Sequence, residues 1–177
     1  CPWWLALEWN QNYPGFHGIG YYNQHNAARI DYLMTVAEKN NIYINLETFN
    51  HGCISTFIDK DWFGNPYCKN QPGGFLNFAS DFFESAEAQR LHREKLRYTV
   101  ARWGYSKSIA FWGIVTESDW TEAYTRSVKW VPEKQVLKSP FVPRPYKDPS
   151  HVEKLRKWLV ETGGYLKDAD MHPHVVT

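Results

Sequence analysis

The chain has 177 residues, of which 43% are hydrophobic and 22% are charged, a composition that is ordinary for a soluble globular domain with one core. Its formal net charge of +1 provides no broad electrostatic attraction to nucleic acid or to an anionic membrane, so we expect no nucleic-acid partner. No apolar run reaches the roughly eighteen residues that a membrane span requires, and the first residues lack the pattern of a signal peptide.

The first part of the chain contains one predicted helix and one predicted strand. Apolar residues recur at three- and four-residue spacing over residues 26–40, which predicts an amphipathic helix. Residues 42–46 form a short β-prone run. Residues 50–80 mix Gly, Pro and Asn with scattered aromatics and predict a loop far longer than a normal connection, and such loops usually have a function.

The second part of the chain repeats this order. Residues 85–103 predict a helix with one charged face, and the almost continuously apolar run 109–115 predicts a strand buried on both faces. An irregular, proline-rich segment follows over residues 120–148. Residues 149–166 predict a third helix, and residues 175–177 predict the start of a strand.

This alternation of strands and helices predicts a parallel sheet in an α/β fold. Both long irregular segments follow strands, whereas the joins from helix to strand at Asn40 and Gly104 are short. In α/β barrels the loops after the carboxyl ends of the strands contain the active site. We therefore expect the functional residues in the two segments that follow the predicted strands.

Two cysteines of the long first loop, Cys53 and Cys68, lie fifteen residues apart. A disulfide between them would stabilise the loop by roughly 3 kcal/mol in the chain-entropy model. Two free thiols are the alternative. The bridge is the favoured prediction, and it implies an oxidising compartment, either extracellular or periplasmic.

Aromatic residues make up 17% of the chain, and several lie among loop-forming residues. The loop aromatics are Trp3, Trp4, Trp9, Trp62, Tyr67 and Trp120. Rings of this kind fill cores, but rings on loops also suit the flat apolar faces of sugars. The cluster therefore favours a carbohydrate ligand, with core packing as the alternative for each ring.

A series of short motifs, taken in order, resembles proteins similar to glycoside hydrolase family 5 in clan A. The motifs are Trp3–Trp9, Tyr22–Gln24, Asn26–Asp31, Asn50–Gly52, Trp62 with Asn65–Tyr67, Gly73–Gly74, Phe82–Phe83, Leu96–Tyr105, Ile109–Trp112, Thr116–Asp119 and His172–Thr177. Leu96–Tyr105 is the most specific of them. The resemblance covers nearly the whole chain except residues 121–148.

The resemblance implies a (β/α)8 TIM barrel, of which residues 1–177 would form one part, from about the end of strand 2 to strand 5. A long irregular insertion would occupy about 119–148. Part of a barrel leaves strand edges unpaired, which folded proteins avoid. We therefore expect the remaining half of the barrel from the same polypeptide or from another chain.

The resemblance also implies that Glu117 is the general acid/base of a retaining glycoside hydrolase that cleaves a β-linked polysaccharide or oligosaccharide. The alternative is a glutamate that only begins a loop or pairs with an arginine. Thr116 stands where the family usually has Asn as a ligand of the sugar 2-hydroxyl, and Gly113 stands where it often has Glu. The nucleophile of the clan follows strand 7, which this sequence does not contain.

Further residues are predicted to bind the sugar. They are Thr116, His51, Trp62, Asn65, Tyr67, Trp4 and Trp120. A structural role is equally compatible with His51, and Asn65–Pro66 also has the composition of a simple turn. The carboxylates of Glu8, Glu47 and Asp119 match no nucleophile position, and Glu47 is expected to hydrogen-bond its neighbours.

No metal site and no cofactor are expected. His172 and His174 have a proline between them and no cysteine partner, which makes a zinc site unfavourable. The sequence contains neither a glycine-rich phosphate loop nor a nucleophile elbow. The departures at Thr116 and Gly113 leave a second hypothesis, a catalytically inactive barrel that binds glycan or takes part in an extracellular assembly.

Overall fold

The computed structural model describes residues 5–56, 58–128 and 148–177. Four helices are present in these residues: α1 (Gln24–Lys39), α2 (Ala86–Trp103), α3 (Glu122–Val128) and α4 (Ser150–Ala169). Three strands alternate with them: β1 (Ile44–Glu47), β2 (Ile109–Gly113) and β3 (Val175–Val176). The three predicted helices and three predicted strands are confirmed, with ends shifted by a few residues.

The helix ends follow local capping chemistry. The side chain of Asn23 accepts a hydrogen bond from the backbone N–H of Asn26 at the start of α1, and that of Ser85 accepts one from Ala88 at the start of α2. After α1 the chain turns at Asn41, which has a left-handed φ of 55°. Gly104 caps the end of α2. The short joins that follow lead directly into β1 and β2.

The strands form one parallel sheet in the order β1-β2-β3, as the alternation predicts. Leu46 pairs with Trp112 between β1 and β2, and Trp112 pairs with Val176 between β2 and β3. The central strand β2 is the most buried of the three, because it is covered by a neighbour on each side. The carboxyl ends of all three strands therefore lie at the same edge of the sheet.

The predicted (β/α)8 barrel is wrong as a description of this structure. The described residues form a small α/β domain with four helices and a three-stranded parallel sheet, and no segment of a closed barrel is shown. Barrel closure requires every strand to pair on both sides, whereas β1 and β3 each have one partner among the described residues. Alternating strands and helices predict parallel pairing, but they do not fix the number of strands or their closure.

The core contains a dense group of aromatic rings beneath the loop that follows β1. The ring centroid of Phe82 lies 5.0 Å from that of Phe49, 5.4 Å from Tyr67, 5.6 Å from Phe83 and 5.7 Å from Trp158. These distances are within the range of favourable ring packing. The predicted loop at 50–80 is therefore not an open excursion, and it folds through three short 3₁₀ turns onto α4.

The predicted irregular segment after β2 is partly helical. Its first residues form a 3₁₀ turn at Ser118–Trp120 and then α3. Glu122 on α3 is buried and accepts a hydrogen bond from the backbone N–H of Ser80, and it is ion-paired with Arg126. The remainder of the predicted insertion, residues 129–147, lies outside the described residues. Within the described ranges, no helix combines the length and the apolar character needed to cross a bilayer.

Asp170 joins the end of α4 to the sheet. Its Oδ2 accepts a hydrogen bond from the indole nitrogen of Trp112 at 2.8 Å and lies 2.7 Å from Nδ1 of His174, while Oδ1 accepts the backbone N–H of His172. Burial acts to raise the pKa of Asp170, but the hydrogen bonds from Trp112 and His174 leave it below its usual value. The two histidines of the His172–Pro173–His174 motif are thus tied to a structural carboxylate.

We expect Asp170→Ala to lower the free energy of unfolding by about 2 kcal/mol or more, because it leaves the buried Trp112 indole N–H without its acceptor. Since the folded pKa is depressed, the wild-type contribution is complete above about pH 4 and is lost as the pH falls through the folded pKa. Urea unfolding at pH 7 and pH 3 measures both effects. The exposed Asp168→Ala is the control, and equal losses in the two variants would contradict the assignment.

Candidate functional site

The loops after β1 and β2 meet at the carboxyl edge of the sheet. The backbone N–H of Thr116 donates to the carbonyl of Phe49 at 3.1 Å, and that of Thr48 donates to the carbonyl of Gly113 at 2.8 Å. These bonds continue the pairing of the two strands beyond their regular ends. As a result, the segments at 49–51 and 114–117 are held side by side.

Glu117 projects from the end of this paired region. Its backbone is left-handed, with φ 43° and ψ 60°. Glu117 precedes the 3₁₀ turn Ser118–Trp120, and its carbonyl accepts the backbone N–H of Trp120, the last residue of that turn. A left-handed conformation at a residue other than glycine costs about 1–3 kcal/mol and often occurs at functional sites. The side chain is 63% exposed, so the carboxylate is open to solvent and to a ligand.

His51 lies directly behind Glu117 and is almost fully buried, with 5% of its side chain exposed. Its Nδ1 is 3.4 Å from Oε2 of Glu117, and its Nε2 is 3.0 Å from Oδ2 of Asp59. The contact with Asp59 is close but is not aligned as a hydrogen bond. The fold therefore brings together two predicted site residues, His51 and Glu117.

Thr116 is occupied by contacts within the protein. Its Oγ1 accepts the backbone N–H of His51 at 3.2 Å and the side-chain amide of Asn50 at 3.3 Å, and it lies 3.3 Å from Nδ1 of His51. The hydroxyl therefore joins the two loops. A sugar 2-hydroxyl, the predicted partner of Thr116, would have to share an oxygen that these groups already use.

Two acidic residues near His51 were not singled out by the sequence. Asp59 lies in a turn in which it and Lys60 are both left-handed, with φ of 56° and 48°. Burial, together with the negative charge of Asp59, raises the pKa of Asp61 above its ordinary value, although His51 acts in the opposite direction. No motif in the sequence indicates that this turn folds back onto the histidine.

Gly113 is explained by its neighbour on β1. A Cβ at this position would lie 2.2 Å from the carboxylate of Glu47, its partner in the strand register. The side chain of Glu47 therefore occupies the space that a larger residue at position 113 would need. Glu47 accepts a hydrogen bond from the amide of Asn45 at 2.7 Å, which is the neighbour-bonding role expected for it.

The residues predicted to line a sugar cleft after β1 are buried. Trp62 and Tyr67 are each 1% exposed, and Asn65 is 2% exposed. Asn65 and Tyr67 nevertheless line a cavity beside β1 together with Thr116, whereas Trp62 does not line it. Asn65 accepts the backbone N–H of Tyr67 and donates to the carbonyl of Cys53. These are the contacts of a turn residue, which was the alternative interpretation of Asn65–Pro66.

The other two predicted aromatic ligands differ in position. Trp120 is half-buried and lies three residues after Glu117, at the end of the 3₁₀ turn. Trp4 lies outside the described residues. Trp9 packs within the protein, because a Cβ at Gly64 would lie 2.6 Å from its ring. Trp120 is therefore the predicted aromatic ligand that the described residues place beside the candidate acid.

Cys53 and Cys68 are free thiols in this structure, so the predicted disulfide is not formed. Burial raises the pKa of Cys53 to about 11 and also raises the pKa of Cys68. Both thiols are consequently protonated near neutral pH. Spacing along the chain suggested the bridge, but spacing does not determine which way the two side chains point.

A largely apolar cavity of about 440 Å³ extends along β1, between α1, α2 and the segment at 5–9. Glu8 and Lys95 form a buried ion pair in its lining, with Nζ 3.4 Å from Oε2, and Lys95 also lies over the ring of Phe49. The residues of β1 line the same space. The cavity thus lies beside the candidate site and does not contain Glu117.

Among residues 5–56, 58–128 and 148–177, no group of three or more His, Cys, Asp or Glu side chains is arranged to hold a metal ion. A comparison of the sequence with protein-family models finds no match, and a comparison with curated proteins finds none either. The functional interpretation therefore depends on the chemistry of the residues around Glu117 and His51.

Proposed function

We propose that this protein is a retaining glycoside hydrolase that acts on a β-linked polysaccharide or oligosaccharide, with Glu117 as its general acid/base. The observation that carries the proposal is the position of Glu117: a solvent-open carboxylate four residues after the end of the buried strand β2, in contact with the buried imidazole of His51. A carboxylate that exchanges protons with a substrate needs both access to it and a fixed partner.

In the proposed reaction, the protonated carboxyl group of Glu117 gives its proton to the glycosidic oxygen as the bond to the anomeric carbon breaks. A second carboxylate forms a covalent bond to that carbon. Glu117, now ionised, then removes a proton from water, whose oxygen attacks the anomeric carbon and releases the second carboxylate. Glu117 thus regains from water the proton that it gave to the leaving group, and both carboxyl groups return to their starting states.

The second carboxylate is assigned to polypeptide outside the described residues. Asp59, which also approaches His51, contacts the opposite nitrogen of the ring, so the imidazole stands between Asp59 and Glu117. That polypeptide would also cover the edges of β1 and β3 that have no partner among the described residues. If the substrate is a polysaccharide, which does not cross a membrane, the proposed activity takes place outside the cell or in the periplasm.

The competing function is glycan binding without hydrolysis. Two observations favour it: the hydroxyl of Thr116 is already shared by His51 and Asn50, and the carboxylate of Glu47 fills the space next to Gly113. A protein of this kind would retain Trp120 and the exposed Glu117 as sugar contacts. It would bind the same glycans and release no product.

A screen of purified protein against β-glucans, mannans and xylans separates the two functions. The proposed enzyme releases reducing sugar from one of these classes, and proton NMR of the first product shows the same anomeric configuration as the substrate. Binding to a glycan with no product over days of incubation would support the competing function. An inverted first product would contradict the retaining mechanism while leaving glycoside hydrolysis in place.

A further inference from the structure

The imidazole of His51 is held between two carboxylates that are far apart in sequence. Asp59 contacts Nε2 at 3.0 Å, and Glu117 contacts Nδ1 at 3.4 Å. The side chains of Asp59 and Glu117 are 61% and 63% exposed, whereas the ring between them is 5% exposed. A buried ring with a carboxyl group at each nitrogen has little freedom to rotate, since every rotation breaks one contact.

The approach of Asp59 to the histidine depends on close backbone packing. A Cβ at Gly52 would lie 2.8 Å from the Cβ of Asp59, so Asp59 packs directly on a residue without a side chain. The turn that delivers Asp59 contains two consecutive left-handed residues, Asp59 and Lys60. Such conformations are costly and persist where the surrounding structure fixes them. The turn therefore presents Asp59 at one defined position.

The opposite side of the ring is fixed by the loop after β2. Thr116 Oγ1 accepts the backbone N–H of His51 and lies 3.3 Å from Nδ1, and the amide of Asn50 holds the same oxygen. Asp61 is the third acidic residue whose charge reaches His51. The ring thus has Asp59 at one nitrogen, and Thr116 and Glu117 at the other.

We propose that Asp59 is a positioning residue of this site: its carboxylate, 3.0 Å from Nε2 but not aligned as a hydrogen bond, favours the proton of His51 on that nitrogen through its charge, so that Nδ1 remains the unprotonated nitrogen that faces Thr116 and Glu117. This inference rests on the proposed function. With the proton on Nε2, the lone pair of Nδ1 faces the Thr116 hydroxyl at 3.3 Å and the Glu117 carboxyl group at 3.4 Å, so it can accept a hydrogen bond from the protonated carboxyl group in place of the hydroxyl before Glu117 gives its proton to the leaving group. When Glu117 is ionised, the same ring remains in place for the return of the proton from water.

Replacement of Asp59 by asparagine tests the assignment, because an amide can donate to Nε2 and thereby favour the proton on Nδ1. In comparable arrangements, an aspartate-to-asparagine change leaves the geometry intact but selects the wrong histidine tautomer. Nitrogen NMR of protein labelled in histidine reports which ring nitrogen carries the proton at high pH. We expect the Nε2–H form in the wild type and in Asp59→Glu, and the Nδ1–H form in Asp59→Asn. Identical spectra in all three would overturn the proposal.

Kinetics with two leaving groups provide the second readout. The dinitrophenolate leaving group departs from its glycoside without a proton, whereas the methoxy group of a methyl glycoside must be protonated as it leaves. A displaced acid therefore slows cleavage of the methyl glycosides only. For Asp59→Asn we expect kcat/KM on methyl glycosides to fall by at least about 10-fold. Full loss of general acid catalysis would lower the rate by about 10²–10⁴-fold, and Asp59 supports only a part of it. We expect less than a 2-fold change on the dinitrophenyl substrates, and Asp59→Glu should recover most of the loss.

Equal losses on both substrates would show a structural role for Asp59 and overturn the proposal. Asp119→Asn is the matched control, because Asp119 is an exposed carboxylate two residues from Glu117. If the wild-type protein cleaves none of the glycosides, the proposed function fails, and the NMR result still decides whether Asp59 sets the tautomer of His51. The two failures are therefore distinguishable.

Discussion

Glu117→Gln should lower kcat on the natural polysaccharide by about 10²–10⁴-fold while binding of the sugar survives. The amide has nearly the shape of the carboxyl group and can still form hydrogen bonds, but it has no proton to give to the glycosidic oxygen. Because 63% of the side chain is in contact with solvent, we expect the substitution to change the free energy of unfolding by no more than about 0.5 kcal/mol. Turnover and calorimetric binding of an oligosaccharide measure the two effects separately.

Asp119→Asn removes one negative charge from the same loop and serves as the control for Glu117→Gln. Asp119 is exposed and belongs to the 3₁₀ turn at Ser118–Trp120, so its replacement tests whether charge alone in this region matters. We expect turnover within about 2-fold of the wild type. Unchanged turnover in Glu117→Gln would end the assignment of Glu117 as acid/base, and loss of binding in that variant would indicate a sugar ligand instead.

The secondary structure could be predicted from the sequence because its signals are local. The caps at Asn23 and Ser85, the turn at Asn41 and the apolar run of β2 each depend on residues a few positions apart. Parallel pairing also follows from the alternation of strands and helices. Closure into a barrel has no such local signal, because it depends on how many strands pair and at what tilt.

The most specific motif of the resemblance, Leu96–Tyr105, has a structural function in this fold. Arg102 donates two hydrogen bonds to the carboxylate of Asp31, at 3.0 and 2.7 Å, and the indole of Trp103 donates a third at 2.8 Å. The hydrogen bonds from Arg102 and Trp103 lower the pKa of Asp31. These contacts join α2 to α1. The described contacts of Arg102 and Trp103 thus give this motif a role in helix packing and do not connect it to catalysis.

The candidate site was predictable only in part. Glu117 and His51 follow two strands of one parallel sheet, and the carboxyl ends of such strands meet at one edge, so their proximity follows from the predicted topology. Asp59 reaches the same place through two left-handed residues and a glycine at position 52. Asp adopts the left-handed region more readily than most residues, but Lys60 does not favour it, and no local signal places this turn against His51. The third member of the group could therefore not be predicted from the sequence.

Trp62→Ala should lower the free energy of unfolding by about 3–5 kcal/mol, because its ring is 1% exposed and belongs to the core beneath the loop at 50–80. That is a large share of the about 5–15 kcal/mol by which a domain of this kind is stable. The sequence interpretation, in which Trp62 lines the sugar cleft, predicts instead a loss of sugar affinity with little change in stability. Urea unfolding followed by circular dichroism distinguishes the two.

Trp120→Ala is the matched control, because Trp120 is a half-buried tryptophan close to Glu117. Its partial burial limits the loss of stability to about 2 kcal/mol, and its position predicts a higher KM for the oligosaccharide. Trp62→Phe keeps a ring in the core, so it should unfold at a urea concentration between those of Trp62→Ala and the wild type. A Trp62→Ala protein that is as stable as the wild type but binds sugar weakly would support a sugar-binding role for Trp62 and contradict its assignment to the core.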